Sequence, residues 1–100
     1  MKTTFTITKD QRDLIEFISY REKINVATML STFFNTEAES LMDYKKEEIQ
    51  TCVNYGDFNV QIDIEDDIHK KIKLYSVENN LKMKNVFFYI TKKFIEKFDV

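Results

Sequence analysis

The chain has no proline, no tryptophan, a single glycine, a single cysteine and a single histidine among 100 residues. Each scarcity removes an option. With no proline and one glycine there is little to interrupt regular structure, so there is little room for long linkers or low-complexity segments and most of the chain is expected in helices and strands. A lone cysteine cannot close an internal disulfide, and a lone histidine without cysteine at ligand spacing supports no metal site. No stretch reaches the ~18 apolar residues of a membrane helix, and no basic start leads into a long apolar run, so a cytoplasmic protein with no membrane partner is expected. Positive charge is not in surplus either: 15 Lys and Arg against 17 Asp and Glu give −2. That balance excludes a basic coat and confines any DNA contact to a local patch. There is no nucleophile motif, phosphate-cradling glycine loop or pair of catalytic carboxylates, so neither an enzyme nor a cofactor is expected.

What is present is repetition. At a shift of 57 residues Ile7 meets Ile64, Ile15 meets Ile72 and Ser19 meets Ser76. The apolar pattern carries further, matching Phe5 with Ile62, Phe17 with Leu74, Tyr20 with Val77, Val26 with Met83 and Phe33 with Ile90. Each half opens on alternation, at 4–8 and at 60–64, the period of a half-buried strand. A helical period follows, with Asp10 or Asp66 suited to cap the first turn. Its apolar positions are Leu14, Ile15, Phe17 and Ile18 in one half and Ile68, Ile72 and Tyr75 in the other. Breaks are expected at 23–25 and 80–82. Second helices then begin, the first capped by Asn25 and striped from Val26 to Met42, the other striped from Met83 to Phe98.

Residues 43–57 read as a linker, helical in part, with Ile49 and Val53 as its apolar anchors. It ends in a turn where Gly56 permits a left-handed backbone. Phe17, Phe33, Phe34, Phe87, Phe94 and Phe98 fall in the stripes and are expected in the core. Tyr55 and Phe58 are the aromatics expected at the surface. His69 is expected as an exposed helical residue, and Cys52 as an unreactive thiol with no cation near in sequence to lower its pKa.

Strand, helix, turn and helix, carried by Thr-Phe-Thr-Ile-Thr with Lys-Asp-Gln and by Val-Gln-Ile-Asp-Ile with Glu-Asp-Asp, resembles the ribbon-helix-helix (Arc/MetJ-like) family of DNA-binding proteins. The resemblance covers 2–41 and 59–98. It implies a mostly α fold with a two-stranded antiparallel ribbon, arranged as a tandem pseudodimer (β-α-α-linker-β-α-α): a first repeat at 1–42, the linker at 43–57 and a second repeat at 58–100. The tandem accessory proteins of conjugative plasmids are similar. By family position the ribbon face that enters the major groove comprises Lys2, Thr4, Thr6, Asn59, Gln61 and Asp63. Phosphates are held at the starts of the second helices, at Asn25 and Val26 and at Lys82, Met83 and Lys84. Double-stranded DNA is the implied partner, and chains side by side would cover a longer, asymmetric site. The implied role is a repressor-like transcription regulator or a plasmid-transfer factor.

A family turn normally carries glycine where this chain has Lys23 and Asn80. Carboxylates at Asp63 and Glu65 would repel phosphate, and they keep a rival open: an inhibitor or antitoxin-like module that binds protein and not DNA.

Overall fold

A computed structural model describes residues 1–52 and 56–98; Val53 and Tyr55, given roles above, lie outside them. Two strands form one antiparallel sheet, β1 (Lys2–Ile7) and β2 (Phe58–Asp63). The helices are α1 (Lys9–Glu22), α2 (Val26–Glu37), a 3₁₀ helix (Ala38–Asp43), α3 (Lys46–Thr51), α4 (Asp66–Glu78) and α5 (Met83–Phe98).

The expected layout of two strand-helix-helix units across a linker is overturned. Helix α2 stops at Glu37, and residues 38–51 fold into the 3₁₀ helix and α3, which belong to the core and not to a tether. Ala38, Leu41, Ile49 and Cys52 are all buried there. Two hydroxyl bonds fasten the segment. Tyr44 donates to Glu37 at 2.5 Å, and Tyr89 of α5 donates to Glu48 at 2.6 Å, with the two rings edge to face at 5.1 Å. The molecule is thus a mostly helical body beneath one two-stranded sheet, with an inserted helical segment that has no counterpart after α5 among the described residues.

Burial follows the strand alternation. Phe5, Ile7 and Ile62 point inward and are buried, because a two-stranded ribbon has too little surface to stand alone. Helix α2 packs on β2 and α5 packs on β1, so each strand rests mainly on the second helix of the other half. Three rings join the halves: Phe5 lies 5.6 Å from Phe34 and 5.4 Å from Phe87, which stacks on Phe34 at 5.5 Å. Side chains of α2 also hold the end of β2, Ser31 Oγ accepting from Asp63 N–H at 3.0 Å and Asn35 Oδ1 from Glu65 N–H at 3.1 Å.

Caps and turns differ in part from expectation. Thr8, not Asp10, caps α1, and it forms a capping box with Gln11. Glu65 precedes α4 without a side-chain cap, so Asp66 lies inside the helix. Asn25 does cap α2, accepting from the amides of Ala27 and Thr28 at 2.8 and 3.3 Å. Both inter-helix turns are left-handed, at Lys23 (φ 57°) and Asn80 (φ 55°). In each, the residue after the turn donates back to an equivalent serine carbonyl: Ile24 to Ser19 at 3.1 Å, Leu81 to Ser76 at 2.8 Å.

Gly56 is not left-handed. Its place is steric, since a Cβ there would stand 2.0 Å from the carbonyl carbon of Ile7. Two expected core residues are exposed, Phe17 on α1 and Met42 on the 3₁₀ helix. The α1 stripe is wider than the surface available to cover it, and Met42 leaves the stripe because α2 has ended.

Candidate nucleic-acid interface

The register sets the outer face of the ribbon. Lys2 lies opposite Asp63, Thr4 opposite Gln61 and Thr6 opposite Asn59, while Phe5 pairs with Val60 and Ile7 with Phe58 on the inner side. All six residues nominated from sequence therefore share one face. Its middle is uncharged, made of two hydroxyls and two carboxamides, groups that donate and accept at base edges.

Charge collects at one end. The terminal ammonium of Met1 sits 3.1 Å from Asp63 and 3.3 Å from Asp66 and donates to the Ile64 carbonyl at 2.7 Å. Hydrogen bonding to Asp63, ahead of the opposing desolvation, raises the pKa of that ammonium. Asp63, Glu65, Asp66 and Asp67 line one cleft at this end and keep it acidic.

On the flank, a cleft of about 350 Å³ brings Asn59 and Gln61 of β2 together with Asn25, Val26 and Ala27 at the start of α2. Asn25 already occupies the amides of Ala27 and Thr28, so this helix end offers mainly its dipole. The cation of the cleft is one that sequence reasoning passed over. Arg12, on the first turn of α1, lies with its guanidinium 4.3 Å above the Phe58 ring, 3.6 Å from Asp13 and 4.0 Å from Glu16. Its Nε is buried and has no hydrogen-bond partner among the described residues. A cation one turn after the strand end was the available signal.

The start of α5 is built otherwise. Lys82 and Lys84 are exposed on either side of half-buried Met83, and the Lys82 carbonyl accepts from the amides of Asn85 and Val86. Where Arg12 stands in the first half, the shift of 57 puts His69, partly buried on α4.

Cys52 is buried, and desolvation, only partly countered by Lys92, raises its pKa. Among the described residues no helix is long and apolar enough to cross a membrane. Compared with family models, with curated proteins and with solved structures, the chain matches none of them.

Proposed function

We propose that the protein binds double-stranded DNA, inserting the outer ribbon face into the major groove, and that it acts by occluding or bending its site as a transcription regulator or plasmid-transfer accessory factor. One observation supports this most. Thr4, Thr6, Asn59 and Gln61 form an uncharged, register-matched face bordered by a helix start and the Arg12 guanidinium. Thr can touch a thymine methyl or bond either way, and Gln and Asn match adenine. Because the two strands carry different residues, the expected site is asymmetric.

Lys2 is on the ribbon, Arg12 lines the cleft, and Lys82 and Lys84 flank the start of α5. If they neutralise about four phosphates, affinity falls with a log–log salt slope of about −3 to −4, shallow beside strongly basic binders. Selection from a random duplex pool tests the proposal. An enriched asymmetric motif is expected, with Thr4→Ala and Gln61→Ala each relaxing one or two base pairs and Arg12→Ala reducing the salt slope by about one. A pool with no enrichment overturns it. That result favours the protein-binding reading, which draws on the acidic cleft of Asp63, Glu65, Asp66 and Asp67 at the ribbon end.

A further inference from the structure

Four large apolar side chains stand in solvent on two helices: Phe17 (59% exposed) and Tyr20 (85%) on α1, Leu74 (58%) and Val77 (70%) on α4. Within each helix the two are three residues apart and so share a face. Across the helices they sit at the same shift of 57, so the molecule presents the same apolar pair twice.

The charges around the pairs are reversed. Four residues and one residue before Phe17 come Asp13 and Glu16; at the same places before Leu74 come Lys70 and Lys73. Four residues after Phe17 is Arg21, and after Leu74, Glu78. All six are exposed. Arg21 is engaged, donating to the Phe98 carbonyl at 2.7 Å and pairing with Glu22 at 3.2 Å, so the first two reversals carry most of the contrast. Arg12 leans on Asp13 and Glu16 from the Phe58 side and tempers them without changing their sign.

We infer that a second copy of this chain covers these faces, with the α1 face of one molecule seated on the α4 face of the next. Two apolar pairs supply the contact, and carboxylates meeting ammonium groups around them favour this pairing over α1 on α1 side by side or α4 on α4 side by side, where like charges would face one another. A contact between unlike surfaces leaves one face open at each end, so copies add head to tail and the assembly grows unless its rotation closes a ring. No DNA is required, and the inference stands or falls separately from the proposed function.

Two surface variants of the full chain test it by sedimentation without DNA: Phe17→Ser with Tyr20→Ser, which keeps only the α4 face, and Leu74→Ser with Val77→Ser, which keeps only the α1 face. The unchanged chain should gain mass with concentration. Each variant alone should stay at one chain, and their equimolar mixture should reach two chains and stop. Adding Asp13→Lys and Glu16→Lys to the variant that keeps α1 should weaken the mixture at least about tenfold. Adding Lys70→Glu and Lys73→Glu to the other variant should restore it. An unchanged chain that is monomeric at every concentration overturns the inference. So does either variant pairing with itself, which would mean a contact between like faces, and so does a mixture that stays at one chain.

Discussion

Helices α2 and α5 pack on different strands of the ribbon, β2 and β1, and their starts are made of different materials. At α2 an asparagine caps the helix, and the positive charge comes from Arg12 of another helix, held over an aromatic ring. At α5 the charge is carried by the flanking residues themselves, Lys82 and Lys84. A planar guanidinium stacked on a ring is held in place, whereas lysines on exposed stems are mobile point charges. In the proposed DNA complex one flank is held by geometry and the other by charge, an option closed to two identical subunits.

The heaviest loss comes from beneath the ribbon. Phe34 is fully buried against Phe5 and Phe87, so Phe34→Ala should cost about 3–5 kcal/mol in denaturant unfolding and uncouple both helix starts from the ribbon together. Gly56→Ala should come next, about 3 kcal/mol, because the added methyl meets the Ile7 backbone and must push the entry to β2 away from the end of β1.

The turns before the two helices sharpen the contrast. Lys23 and Asn80 share a left-handed backbone that lysine adopts at a cost and asparagine tolerates. Lys23→Gly should stabilise by about 0.5–1 kcal/mol, and Asn80→Gly by no more than a few tenths. Equal gains would show that the first turn is no more strained than the second.

The smallest effect is read by pH. Burial, then the hydrogen bond to Glu37, raises the pKa of Tyr44, and burial, then the bond to Glu48, raises that of Tyr89. A phenol whose folded pKa lies above its unfolded value contributes stability that is fully present below about pH 10 and is lost as pH rises further. Alkaline titration of unfolding should show this loss, and Tyr44→Phe with Tyr89→Phe should flatten it. Glu48 moves the other way, its pKa lowered chiefly by the Tyr89 hydroxyl, so its contribution is present above the usual glutamate range and fades as acid protonates it.

Much of this was legible in the chain. The alternation at 4–8 and 60–64 marks both strands because a half-buried strand has a period of two, and Asn25 announces its helix because its side chain can take amides that a helix start leaves open. The α3 segment was not legible as core. Six residues with one buried isoleucine give too short a period to distinguish an inserted helix from a tether. Nor was Arg12 legible as part of the cleft, because its neighbours there, Asn25, Asn59 and Phe58, come from elements separated widely along the chain.

By itself the sequence determined which stretches are strand and helix, where most of them begin and turn, and which face of each strand is apolar, since all of these depend on neighbours within a few positions. Only the tertiary structure decided that residues 38–51 belong to the core, that Phe17 and Tyr20 remain in water, and that Gly56 must lack a side chain. Those outcomes depend on how much surface each element finds to cover it and how closely two distant backbones approach, and neither quantity is written in local order.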